Sequence, residues 1–108
     1  MPQQIRPREL AKMIANGQPV RLLDVRQPAE HQAAALPGST LIPMGDLAAR
    51  VGELDAPKDS LVVVYCHHGI RSQNGAAFLE RAGFTNVASL AGGIDAWSRE
   101  VDPEVPRY

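Results

Sequence analysis

The sequence has one cysteine, few aromatic residues and almost no net charge. A lone thiol, Cys66, cannot form an internal disulfide, so the fold does not depend on oxidation, which fits a reducing compartment. The formal net charge of −1, with scattered basic residues, argues against a general nucleic-acid or membrane surface. No run approaches the ~20 apolar residues that span a bilayer, and the first residues lack a secretory pattern. We therefore expect a cytoplasmic protein.

Apolar patterns of strand length and helix length alternate along the 108 residues, which are enough for one domain with its own core. Strands are predicted at residues 20–25, 40–42, 61–65 and 85–90. Helices are predicted from Pro7 to Asn16-Gly17 and at residues 26–32, 47–54, about 71–82 and 94–97. This alternation indicates an α/β fold with a mainly parallel sheet. The run at 61–65 is the most apolar and is predicted to be a central strand, covered on both faces.

The cysteine follows this predicted central strand directly. In parallel α/β sheets, ligands bind beyond the carboxyl ends of the strands, so Cys66 is expected at that edge. A short loop to Ile70 leads to a helix predicted to open at about Arg71-Ser72, whose unpaired N–H groups carry partial positive charge. Gly69 permits a tight loop, and Arg71 adds a cation. The pattern predicts an anion cradle with a nucleophilic thiolate at its floor.

Two other interpretations of the same cysteine are open at this point. A lone cysteine after a valine run is often a small buried hydrophobe. Cys66, His67 and His68 are also all metal-ligand types, but adjacent residues seldom point at one ion and no second Cys/His pair exists in the sequence. We therefore expect no metal.

Four segments, in order, resemble the rhodanese domain of the sulfurtransferase family. They are LLDVRQPAEH, with an Asp-Val-Arg after a strand and a Glu shortly after it, LPGSTLIPMGDL, VVVYCHHGIRS at the active-site loop, and AGFTNVASLAGGIDAWS. The resemblance covers nearly the whole chain. One departure is Ala34-Ala35 ahead of Leu36-Pro37-Gly38, where many members carry Gly-His.

The resemblance implies a single rhodanese-like domain over residues 1–108, and the two prolines of VDPEVPRY predict an extended tail on the surface at 101–108. It implies a five-stranded, mainly parallel sheet with helices on both faces. It also implies a reaction without cofactor or metal, in which the thiolate of Cys66 takes a sulfane sulfur from a donor such as thiosulfate. The persulfide then passes that sulfur to cyanide, a thiol or a sulfur-carrier protein. The residues implied to bind the substrate or persulfide are His67, His68, Gly69, Ile70, Arg71 and Ser72.

Individual roles follow from position in that loop. Arg71 is expected to bind the anionic donor, because a cation at a helix start is unfavourable unless an anion is bound. Ser72 is expected to cap the helix, with a hydroxyl that could face the cradle. His67 and His68 could either tune charge near physiological pH or simply face solvent.

Residues outside the loop are predicted to have structural roles. Asp24 and Arg26 are expected to support the edge of the sheet through hydrogen bonds and an ion pair. Trp97 is expected in the core, and His31 on the surface.

Competing functions come from two classes. One is a persulfide carrier or binding module that serves a protein partner, because the ending VDPEVPRY resembles that of rhodanese domains attached to enzymes that activate ubiquitin-like sulfur carriers. The other is a cysteine phosphatase or an arsenate reductase. Phosphatase loops of this type hold one residue more between Cys and Arg than the four found between Cys66 and Arg71.

Overall fold

A computed structural model describes residues 3–108 and contains a five-stranded sheet. Every neighbouring pair of strands is parallel, and the order is β1-β5-β4-β2-β3. The predicted parallel α/β fold is therefore confirmed, with the valine-rich strand at its centre. The strands are β1 Gln3–Ile5, β2 Arg21–Asp24, β3 Thr40–Leu41, β4 Val62–Tyr65 and β5 Val87–Leu90.

Within residues 3–108, four α-helices connect these strands and a fifth follows β5. They are α1 Pro7–Ala15, α2 Pro28–Ala33, α3 Leu47–Arg50, α4 Ile70–Arg81 and α5 Gly93–Glu100. The prediction of one helix over 47–54 is wrong in part, because α3 is a single turn between two 3₁₀ turns, Met44–Asp46 and Val51–Glu53. The β-branched Val51 and the adjacent Gly52 both disfavour a continuing α-helix. Among the described residues, no helix has the length and apolar character needed to cross a membrane.

The central strand β4 explains why its sequence is apolar without alternation. All four of its side chains are buried, and successive side chains point to opposite faces of the sheet. Val62 and Val64 therefore join one hydrophobic cluster, which contains residues of α3 and α4. Val63 and Tyr65 join the other, which contains residues of α1 and α5, including the predicted core residue Trp97. Helices thus cover both faces of the sheet.

Both ends of the described part of the chain pack against the sheet and its helices. Strand β1, which the apolar pattern did not predict, extends the sheet by pairing with β5 in parallel register. The last eight residues contain no helix or strand. Val105 is nevertheless buried, and the Ser98 hydroxyl donates a hydrogen bond to its carbonyl. This contact anchors the segment that leads to Tyr108.

Candidate active site

The thiol of Cys66 lies at the carboxyl edge of the sheet, immediately after β4, and is 1% exposed. Two backbone N–H groups point at its sulfur, with Gly69 N 3.1 Å and Ser72 N 3.3 Å from Sγ. The turn that brings them there needs a φ of +104° at Gly69, a left-handed conformation that glycine adopts without strain. The predicted cradle of N–H groups is thus built by the loop together with the first turn of α4.

Helix α4 begins one residue earlier than predicted, at Ile70, and Gly69 occupies its N-cap position. The prediction that Ser72 caps the helix is therefore wrong. The Ser72 hydroxyl turns away from the thiol, donating to the carbonyl of Gly69 at 3.1 Å and lying 2.7 Å from the hydroxyl of Ser89 on β5. Ser72 therefore contacts the sulfur through its backbone N–H, and its side chain connects the loop to the sheet through Gly69 and Ser89.

A second helix start supports the loop from behind. The N–H of Ile94 donates to the carbonyl of Cys66 at 2.9 Å, and the N–H of Asp95 donates to the carbonyl of His67 at 3.1 Å. Gly93 approaches so closely that a Cβ on it would overlap both of those carbonyl oxygens. N–H groups in the first turn of α5 thus donate to two carbonyls of the loop, whereas an N–H group in the first turn of α4 donates to the sulfur of Cys66.

Arg71 stands beside the thiol in a small cleft of about 170 Å³, lined by Cys66, His67, His68, Ile70 and Arg71. Its guanidinium forms a bidentate ion pair with the carboxylate of Glu30 on α2, with N···O distances of 2.8 and 3.0 Å. Hydrogen bonds from Arg71 lower the pKa of Glu30 to about 2, so this carboxylate stays ionised at neutral pH. Glu30 thus supplies a counter-charge for this cation at the helix start, and binding of an anionic donor by Arg71 stays a prediction.

Asp24 and Arg26 form a fully buried ion pair at the end of β2. The guanidinium donates to both carboxylate oxygens, at 2.8 and 2.7 Å, and to the carbonyl of Ala34 at 2.6 Å. Although burial acts to lower the pKa of Arg26, its hydrogen bond to Asp24 helps to raise it on balance, so the cation is permanent. The prediction that His31 is a plain surface residue is wrong, because its Nδ1 lies 2.7 Å from Asp24 and its side chain is 29% exposed.

The two loop histidines form an aromatic stack with a distant tyrosine. The His67 ring lies 4.0 Å from the His68 ring and 4.1 Å from the Tyr108 ring, centroid to centroid. Burial, together with the nearby imidazole of His68, lowers the pKa of His67. Because its ring stacks on both sides, His67 is not a purely solvent-facing residue.

One group of potential metal ligands lies beside the loop. Ligand atoms of His67, His68 and Asp95 lie within 4.8 Å of one another. The Asp95 carboxylate, however, already accepts hydrogen bonds from Arg99 at 3.1 Å and Arg107 at 3.0 Å. Two guanidinium groups thus balance its charge, which makes the group a poor match for a metal cation.

Comparison with known proteins shows the family of this chain. The model of the rhodanese-like domain matches residues 6–100. The chain belongs to the rhodanese-like family. A sulfurtransferase of Allochromatium vinosum is 37% identical over 105 residues, covering 97% of this chain and 96% of that one. A thiosulfate sulfurtransferase of Pseudoalteromonas translucida is 33% identical over 88 residues, covering 82% of each.

Longer relatives and solved structures agree with this placement. A probable adenylyltransferase/sulfurtransferase of Mycobacterium tuberculosis is 36% identical over 104 residues, covering 96% of this chain. The chain spans only 26% of that relative's length. The crystal structure of a rhodanese-like domain protein from Staphylococcus aureus superimposes with a TM-score of 0.82 at 27% identity, covering 92% of this chain and 94% of that one.

Two residues that contact this site, Glu30 and Tyr108, were not among the predicted site residues. Glu30 was visible in the sequence as the Glu that follows Asp-Val-Arg in the family's early segment, but its pairing with Arg71 was not. Tyr108 belongs to the ending VDPEVPRY, whose resemblance to other rhodanese domains gave no indication that its hydroxyl donates to Glu30, 78 positions away. Both residues contact side chains that line the cleft, Arg71 and His67, through the tertiary fold alone.

Proposed function

We propose that this rhodanese-like domain is a sulfurtransferase that carries sulfur as a persulfide on Cys66. The thiolate attacks the sulfane sulfur of a donor such as thiosulfate, and a new S–S bond forms. The S–S bond of the donor breaks, and sulfite leaves with the electron pair. An acceptor such as cyanide then attacks the outer sulfur, giving thiocyanate and regenerating the thiolate. The observation that carries this proposal is the pair of N–H groups, from Gly69 and Ser72, directed at the Cys66 sulfur.

Those N–H groups suit a mechanism in which negative charge resides on sulfur before and after transfer. They belong to a loop and a helix start whose partial charges are fixed in place, so they stabilise an anion without reorganising. The persulfide would extend from Cys66 into the cleft beside Arg71. The guanidinium there supports binding of a small anionic donor.

An acceptor larger than cyanide is supported by the rim of the cleft. Ile70, next to Arg71, is 75% exposed and lines the cleft, so it presents an apolar side chain to any acceptor that approaches the thiol. A protein or cellular thiol could cover this side chain while its nucleophile reaches the persulfide. We also place this chemistry in the cytoplasm, where a free thiol stays reduced.

Phosphatase or arsenate reductase activity is less well supported by the same site. Only four residues separate Cys66 from Arg71, one fewer than in phosphatase loops of this type, so fewer backbone N–H groups can surround the three oxygens of a phosphate. The carboxylate of Asp95 lies 3.9 Å from His68, and hydrogen bonds from Arg107 and Arg99 lower the pKa of Asp95. An ionised carboxylate cannot serve as the general acid that protonates a leaving group.

Steady-state kinetics test the proposal. Thiocyanate formation from thiosulfate and cyanide should give parallel double-reciprocal lines, as expected when a covalent intermediate separates the two half-reactions. Cys66→Ser should abolish it. An aryl phosphate serves as the comparison substrate, and phosphate release that matches or exceeds thiocyanate formation would overturn the proposal.

A further inference from the structure

Tyr108 contacts three parts of the site from the far end of the sequence. Its hydroxyl accepts a hydrogen bond from Arg26 at 2.5 Å and donates one to Glu30 at 3.0 Å. Its ring stacks on His67 with the planes 11° apart. We propose that Tyr108 is a positioning residue that fixes Arg71 through Glu30 and so sets the affinity of the Cys66 site for an anionic sulfur donor. This inference rests on the proposed sulfur transfer.

The direction of the Tyr108 hydroxyl is determined by its neighbours. A guanidinium has only N–H donors, so the hydroxyl must accept from Arg26 and its own proton is left for Glu30. Arg26 is itself held by both carboxylate oxygens of the buried Asp24. The hydroxyl is therefore oriented by a permanent, immobile cation, which makes it a fixed donor to Glu30.

Glu30 connects Tyr108 to Arg71, which lines the cleft. One of its oxygens accepts from Arg71 and from the backbone N–H of Gln27, and the other accepts from both Arg71 and Tyr108. A guanidinium has five N–H groups, and Glu30 occupies two of them. Glu30 can thus hold the Arg71 side chain in one orientation while leaving N–H groups for an incoming anion.

The hydroxyl and the ring of Tyr108 can be tested separately. Tyr108→Phe keeps the stack on His67 and the net charge, and removes only the hydrogen bonds. The change therefore leaves the overall field at Cys66 intact and loosens the orientation of Arg71. For the loss of one positioning hydrogen bond we expect the KM for thiosulfate to rise by roughly 3- to 10-fold, with kcat within about twofold.

Alkylation of Cys66 provides a readout that does not require sulfur transfer. Iodoacetate and iodoacetamide form the same S–C bond with loss of iodide, and they differ in charge. We expect the iodoacetate to iodoacetamide rate ratio to fall roughly 3- to 10-fold in Tyr108→Phe, in step with KM. Glu53→Gln is the matched control, because it disrupts an exposed ion pair with Arg50 and should leave the ratio unchanged.

A double-mutant cycle separates positioning from general support of the structure. If Tyr108 acts through Glu30, the change Tyr108→Phe should have no further effect on the ratio or on KM in a Glu30→Ala background. The inference would be overturned if the effects of the two changes simply add. It would also be overturned if Tyr108→Phe alone stays within 1.5-fold of wild type in both the alkylation ratio and KM. A different outcome would refute the proposed sulfur transfer: the wild type forms no persulfide, while Tyr108→Phe still lowers the alkylation ratio as predicted.

Discussion

Gly93 occupies a position where one added methyl group should damage both the fold and the site. Its φ of +64° is left-handed, which costs an alanine about 1–2 kcal/mol. Its Cβ would also lie well inside 3.0 Å of the Cys66 and His67 carbonyl oxygens, so the start of α5 must move away. That movement breaks the hydrogen bonds from Ile94 and Asp95, worth about 0.5–1.5 kcal/mol each.

Together these costs predict that Gly93→Ala lowers the free energy of unfolding by about 2–5 kcal/mol. That is a large fraction of the roughly 5–15 kcal/mol that stabilises a domain. Urea unfolding followed by circular dichroism measures it directly. Thiocyanate formation should fall as well, because the displaced helix no longer holds the loop.

Two other glycines separate the causes. Gly17 has a φ of +75° but nothing within 4 Å of a built Cβ, so Gly17→Ala should show the backbone cost alone, about 1–2 kcal/mol. Gly52 has open space and no positive φ, so Gly52→Ala should change stability by less than about 1 kcal/mol. If Gly93→Ala is no more destabilising than Gly17→Ala, the contact between α5 and the loop is unimportant and the reasoning is refuted.

Three further changes test other contacts of the site. Arg26→Leu leaves the buried Asp24 without its cation and should cost about 3–5 kcal/mol in urea unfolding, whereas a cost below about 1 kcal/mol would contradict that role. Ser72→Ala keeps the N–H on the sulfur, so it should cost about 1–2 kcal/mol of stability while kcat for thiocyanate stays within about threefold; loss of turnover would show that the hydroxyl acts in the reaction. Because Arg71 lowers the pKa of Glu30 from 4.5 to about 2, the stability this carboxylate contributes is complete above pH 4.5 and is lost as the pH falls through 2. The difference in urea midpoint between wild type and Glu30→Gln should shrink across that window, and a pH-independent difference would argue against the ion pair.

The regular elements of the fold were predictable where their sequence carried a local signal. Residues 61–65 are an unbroken apolar run, and Pro7 and Gly17 bracket α1, so β4 and α1 were found close to their true bounds. Strand β1 was missed by pattern because Gln3–Ile5 has three residues and only Ile5 is buried. Its strand character comes from pairing with β5, which no local pattern records.

The site divides in a similar way. The position of Cys66 at a strand end, followed by a glycine and a helix, was sufficient to predict a cradle of N–H groups around the sulfur. The environment of Arg71 was not predictable, because Glu30 and Tyr108 lie 41 and 37 positions away in the sequence. The role of Ser72 was mistaken because Gly69 starts the helix earlier, which turns the serine hydroxyl toward Ser89.

Intact mass spectrometry after incubation with thiosulfate tests the central claim most directly. The wild-type protein should gain the mass of one sulfur atom, about 32 Da, which cyanide or a reductant then removes, and Cys66→Ser should gain nothing. A gain of the same size in Cys66→Ser, or no gain in the wild type with thiosulfate and other sulfane donors, would contradict a persulfide on Cys66.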